Sequence, residues 1–221
     1  MEAVLSPNEI RVLACLIEKS LSTPEYYPMT LNALIAACNQ KSNRDPVMQM
    51  SGEDAVRALD LLRDRRLAWS VTMAGSRAPK YRHHLEDVYP LVPLQVAVLC
   101  ELMLRGPQTA GELRTHAGRL WGITDTAEVQ SVLQQLMVWP GGALVAVSPR
   151  RSGQREERYT HLLGGSLATE VETGDAFVEP SRLSVMAENE RIAALEAKMT
   201  ILDDELARLR GQFSDFAKQF Q

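Results

Sequence analysis

The sequence predicts an α+β fold, mainly helical with small β-hairpins, in which one module occurs twice and a long helix follows. Three observations predict it. Tyr81-Arg82-His83 and Tyr159-Thr160-His161 close two stretches with the same order of parts. Each stretch opens with an apolar helix (Ile10, Leu13, Leu16, Ile17; then Val96, Leu99, Leu102, Met103), continues with a Thr-led helix (Thr30 to Leu34; then Thr109 to Leu113) and adds a third (Ala55, Ala58, Leu59, Leu62; then Val129, Val132, Leu133, Leu136). From Val185 onward the apolar residues change to a heptad spacing. Three helices and a hairpin in roughly 75–90 residues is the plan of a winged helix. The expected organisation is therefore two tandem winged-helix domains, 1–89 and 90–165, a linker over 166–184 and a coiled-coil helix over 185–221.

The local chemistry justifies each element in turn. Ser6 caps the first helix, Pro7 presets φ at its first position, and Glu9 can return a bond to the cap. That helix runs to about Leu21, where Thr23-Pro24 and Tyr27-Pro28 force a turn. Thr30 opens a second helix that ends near Cys38. Asn39 to Met50 is polar, contains Pro46 and reads as a long connector. Ser51 caps the third helix, through about Arg66. Trp69 to Thr72 alternates as a strand does, and Lys80 to His83 returns. Pro90 and Pro93 bracket the junction to the second copy. There Thr109 with Glu112, and Asp125 with Glu128, each spell a capping box. The two helices they open are expected to be joined over Ala117 to Thr124. Ala143 to Val147 and Arg158 to Leu163 form the second hairpin around a charged tip. Gly164 to Ser181 has no periodicity and reads as linker.

Net charge is −4 over 221 residues, and its placement is uneven. Residues 166–221 hold 11 acidic and 6 basic groups, whereas Lys41 to Arg82 holds 9 basic and 5 acidic. The acidic balance argues against a strongly basic binder but leaves room for a nucleic-acid face on the first domain. No apolar run is long enough to span a membrane, and the N-terminus lacks a signal-peptide pattern, so a cytoplasmic protein is expected. Cys15, Cys38 and Cys100 lack metal spacing and read as reduced, packed thiols.

Two long motifs carry a family resemblance. The first is Glu18-Lys19, Ser22-Thr23-Pro24-Glu25-Tyr26-Tyr27-Pro28 and Ala37-Cys38-Asn39-Gln40-Lys41-Ser42-Asn43-Arg44-Asp45-Pro46-Val47-Met48. The second is Leu104-Arg105-Gly106-Pro107-Gln108-Thr109, Gly111-Glu112-Leu113-Arg114, Gln154-Arg155-Glu156-Glu157-Arg158-Tyr159 and His161-Leu162. Together they resemble the signature of the YceH-like family of bacterial proteins over nearly the whole chain. The resemblance implies a tandem winged-helix fold and names no activity. Asp45 departs from an expected Glu, and Pro107 from an expected Ala.

No phosphate-cradling glycine loop, metal-spaced histidine set or nucleophile–base arrangement is present in the sequence, so neither an enzyme nor a cofactor is expected. His83 and His161 recur at one place in both copies, which suits a structural duty. The expected surfaces are those of a DNA binder, in which the third helix enters the major groove and the wing meets phosphates. On the second third helix, Gln130 and Gln134 are neutral, and Gln can pair with adenine. On the first, Asp60 and Asp64 would face phosphates and be repelled. The wings offer Arg77 and Lys80 in one copy, and Arg150, Arg151, Arg155 and Arg158 in the other. The connector, with Lys41, Asn43 and Arg44, reads either as a recognition loop or as a buttress of the first domain. The expected partner is DNA, with an unidentified protein as the alternative in an adaptor reading.

The heptads place Ile192, Leu195, Met199, Leu202, Leu206, Leu209, Phe213 and Phe216 on one seam. A parallel homodimer would set Arg191 against Glu196, Lys198 against Asp203 and Glu205 against Arg210, all attractive.

Overall fold

The computed structural model of the protein describes residues 4–72, 78–149 and 156–165. The chain divides into two units, Met1–Thr169 and Glu170–Gln221, and the described elements all belong to the first. The heptad seam, the linker, and Arg77, Arg150, Arg151 and Arg155 lie outside the described residues.

The order is α1 (Pro7–Ser22), β1 (Met29–Thr30), α2 (Leu31–Cys38), α3 (Gly52–Asp64), β2 (Ala68–Val71), β3 (Lys80–His83), α4 (Leu85–Val88), α5 (Pro93–Arg105), α6 (Ala110–Trp121), α7 (Thr126–Met137), β4 (Val145–Val147) and β5 (Tyr159–His161). The fold is therefore α+β, with helices and two small antiparallel sheets. Two consecutive sets of three helices and a hairpin follow one another, as the duplication predicts.

Helix starts follow the capping chemistry. Ser6 and Glu9 exchange bonds across the first turn of α1, with Glu9 Oε2 accepting from Ser6 N at 2.9 Å. Thr30 caps α2, Ser51 with Asp54 caps α3, and Thr109 with Glu112 caps α6. The expected box at Asp125 is only half present. Asp125 Oδ1 accepts from Ala127 N at 3.0 Å, while Glu128 stays exposed and returns no bond. Helix α6 also runs further than expected, to Trp121, where Gly122 enters the left-handed region at φ 55° and ends it.

Two elements had no sequence signal. The two-residue β1 pairs with β3 (Met29 with Tyr81, Thr30 with Lys80), giving the sheet order β1-β3-β2. Its counterpart in the second half is a single bridge, in which Gln108 and Tyr159 exchange both backbone bonds at 3.0 and 2.7 Å. Such short pairings are created by the neighbouring strand rather than by local propensity. Helix α4 is one turn that links the first hairpin to α5.

The two opening helices lie at the centre. Val12 to Ile17 on α1 and Ala97 to Leu102 on α5 are almost wholly buried, and a helix covered on nearly every side is a core helix rather than a surface one. Cys100 Sγ donates to Ala14 O at 3.4 Å where they cross. One continuous apolar cluster takes in residues from both halves. Cys15, Cys38 and Cys100 are free and buried within it, and burial pushes the Cys100 thiol well up.

Candidate nucleic-acid interface

The third helices expose different chemistry. On α7 the inward stripe is Val129, Val132, Leu133 and Leu136, which leaves Gln130, Ser131 and Gln134 exposed and uncharged. Gln135, beside them, accepts from Gln95 Nε2 at 2.8 Å and thereby ties α7 to α5. On α3 the inward stripe is Ala55, Ala58, Leu59 and Leu62. Its outer face carries Arg57, Asp60, Leu61 and Asp64, and Arg63 is drawn to Asp60 at 3.0 Å.

The connector is not a solvent-facing loop of donors. Arg44 is only 5% exposed, and its guanidinium is bidentate to Glu18, with Nη1 to Oε1 at 3.1 Å and Nη2 to Oε2 at 2.6 Å. Its remaining donors reach Ala37 O, Asn43 O and Gln40 Oε1. Burial pulls the Arg44 pKa down, but the bonds and charge of Glu18 outweigh this and hold it above its ordinary value. Arg44 as a partner-contacting residue is thus corrected: no donor is left over, and the side chain is inside. Arg11 works beside it, donating to Cys38 O and Pro46 O. Asn39 exchanges two bonds with the backbone of Met50, closing the connector on itself at 2.9 and 2.6 Å.

The connector also reaches the second half. Asn43, at φ 60°, accepts from Arg105 Nη2 at 2.6 Å, and Asp45 N donates to Leu104 O at 2.9 Å. Arg105 is held in turn by Glu101, whose carboxyl burial pushes up while Arg105 pulls it back. Lys41 stays exposed, and Lys80 is half-buried in β3.

The root of the second wing is likewise committed. Arg158 donates to Pro107 O at 2.8 Å and pairs with Glu112 at 2.9 Å. Arg158 as an outstretched phosphate contact is therefore corrected: it bolts the return strand to α6. Gln108 donates to Glu101 O and accepts from His116 Nδ1 at 2.6 Å. Burial, then Arg105 and Arg119, keep the His116 pKa below its usual range. These groups line a polar cleft of about 250 Å³ together with Asn43, Asp45 and Pro107. The two long motifs thus converge in space, although nothing in their spacing announces it.

The two histidines occupy matching hairpin positions with different surroundings. His83 Nε2 meets Ser20 Oγ at 2.9 Å, and its backbone N–H donates to the Tyr27 hydroxyl at 2.6 Å. His161 is half-buried, its enclosed Nδ1 has no hydrogen-bond partner among the described residues, and burial of the ring lowers its pKa to about 4. Among the described residues, no cluster of His, Cys, Asp and Glu could hold a metal, and no helix is long and apolar enough to cross a membrane.

Sequence reasoning passed over Arg11, Glu18 and Arg105 as contributors. A signal existed for the first two: charged residues seven apart on an otherwise buried helix must share a face and find a partner inside.

Similar proteins span the whole chain. A UPF0502 protein of Geobacter metallireducens is 52% identical over 221 residues, covering all of both chains. One from Geobacter sulfurreducens is 49% identical with the same coverage. A UPF0502 protein of Vibrio atlanticus is 42% identical over 214 residues, 95% of this chain and 97% of its own. Residues 5–167 match the model of the family described as "Protein of unknown function, DUF480", and the chain belongs to that family.

Proposed function

We propose that the protein is a tandem winged-helix DNA binder of the cytoplasm, reading duplex with the second half and dimerising through its C-terminal heptads. One observation carries the reading: α7 exposes the uncharged Gln130, Ser131 and Gln134 opposite the stripe that packs into the core. Glutamine in the major groove can bond adenine through two atoms, a preference worth about 1–3 kcal/mol. Arg150, Arg151 and Arg155 of the second hairpin would supply phosphate contacts, which set affinity without setting sequence. Lys80 and Arg77 would do so more weakly on the first wing.

The test is duplex binding across a salt series. Wild-type affinity should fall steeply with salt through counterion release, and replacing Arg150, Arg151 and Arg155 with Ala should flatten the slope by about one per lost contact. Unchanged affinity in the triple variant at fixed salt would remove the wing from the interface. No binding to any duplex at low salt would remove DNA from the function.

A second reading, a protein-binding adaptor, draws on α3. Its outer face sets Asp60 and Asp64 beside the exposed Val56 and Leu61, a surface that phosphates repel and that a protein segment suits. Copurification from native cells with and without nuclease separates the two readings.

The dimer is tested by light scattering on the full chain and on a chain ending at Ser181. The full chain should have twice the mass of its monomer, and the shortened one should not. Equal monomeric masses at micromolar concentration would sink the homodimer.

A further inference from the structure

We infer that the two halves of this one chain are related by an internal twofold axis, so that its DNA target is an inverted repeat with one half-site facing each half. This rests on the DNA-binding reading above and adds the symmetry of the target to it.

The halves align without ambiguity at their opening helices. Pro7 and Pro93 each stand at the first helical position. Glu9 and Gln95, two residues further, each accept from the cap backbone, at 2.9 Å from Ser6 N and 3.0 Å from Val92 N. Carried along the helix, that alignment makes Cys100 the counterpart of Ala14. These counterparts touch, Cys100 Sγ donating to Ala14 O at 3.4 Å.

The hairpins give a second, separate approach of counterparts across a cavity. Ala68 pairs with His83 as Val145 pairs with His161. Leu67 O accepts from His84 N at 2.8 Å, and Leu144 O accepts from Leu162 N at 2.8 Å. Leu67 and Leu144 are therefore counterparts, and both line one cavity of about 500 Å³ at the base of the two hairpins.

Contact between counterparts is the mark of a twofold. A residue on such an axis meets its own mate, as in an isologous dimer, whereas stacked or head-to-tail copies join unlike surfaces. The contact at mid-helix and the shared cavity at the hairpin base are two separate places where counterparts approach each other. The chain ends agree. Leu5, ahead of α1, donates its N–H to Leu163 O, beyond the last strand of the other half, at 2.8 Å. Its counterpart Leu91, ahead of α5, follows directly on the hairpin and α4 of the first half. Each half thus leads in against the other's trailing end.

Helix-turn-helix dimers read inverted half-sites because their recognition helices are twofold-related. Here α3 and α7 stand in that relation within a single chain, and their faces differ. The α7 half-site is read closely, and the α3 half-site, opposed by Asp60 and Asp64, is read loosely.

The test is selection of binding sites from random duplex by the full chain, repeated with Gln130→Ala/Gln134→Ala. The expected product is an inverted repeat of unequal halves, in which the double variant relaxes only the better-defined half. A direct repeat, or a lone half-site, overturns the internal twofold as the basis of recognition and leaves DNA binding standing. Equal relaxation of both halves also overturns it, since that outcome means two chains each reading through α7. Failure to enrich any duplex overturns the DNA-binding reading and this inference together.

Discussion

The two halves share one plan but join their second and third helices in opposite ways. In the second half α6 ends at Gly122 and α7 begins four residues later, after a turn that needs only one left-handed glycine and an Asp125 cap. In the first half the same junction takes thirteen residues, from Asn39 to Ser51, and draws in a buried ion pair. The added length is not a loop looking for a ligand. It is a bracket, anchored inside the first half by Arg44 on Glu18 and outside it by Asn43 on Arg105. A repeated fold can thus change the role of a loop without changing its own plan.

The sharpest way to break this comparison is Arg44→Ala. It leaves the Glu18 carboxylate buried with only Lys19, at 3.3 Å, to offset its charge, and losing the bidentate member of a buried pair costs up to about 3–5 kcal/mol. Thermal or urea unfolding should show that loss, whereas Asp125→Ala at the second junction should lose only about 1 kcal/mol, the value of a cap. Similar losses at the two sites would contradict the bracket.

Acid gives the next largest effect, and it falls on the second hairpin. Burial holds His161 near a pKa of about 4, below its ordinary 6.5, so the folded state prefers the neutral ring. The unfolded chain takes up the proton first. Stability is therefore complete above about pH 6.5 and declines as pH falls toward 4, by on the order of 3 kcal/mol. His161→Phe should flatten the stability profile across that window. If the slope is unchanged, the ring is not the group being protonated.

A smaller effect sharpens the role of Asn43. Its replacement by Ala removes the bond to Arg105 and places a residue that prefers negative φ at 60°, for a loss of about 1–2 kcal/mol. Asn43→Gly keeps the backbone at ease and should lose less. Equal losses would mean that the bond alone matters.

The starts of α1, α2, α3 and α6, the repeated order of elements and the core stripes were readable from the chain, because each depends on neighbours. A cap binds three residues ahead, as Ser6 does with Glu9, and an apolar stripe recurs with the helix turn. Partner choice was not readable in that way. Arg44 finds Glu18 across 26 positions, Asn43 finds Arg105 across 62, and Arg158 finds Glu112 across 46. Each of these side chains looks, in sequence, like a solvated charge or a turn-former. Packing within each half brings Arg44 to Glu18 and Arg158 to Glu112, the crossing of α1 and α5 brings Asn43 to Arg105, and for Arg44 the low polarity of the interior requires the buried charge to find its counter-charge. The chain itself determined what the pieces are. Tertiary packing decided which polar groups would be structure and which, like Gln130 and Gln134, would be left facing out.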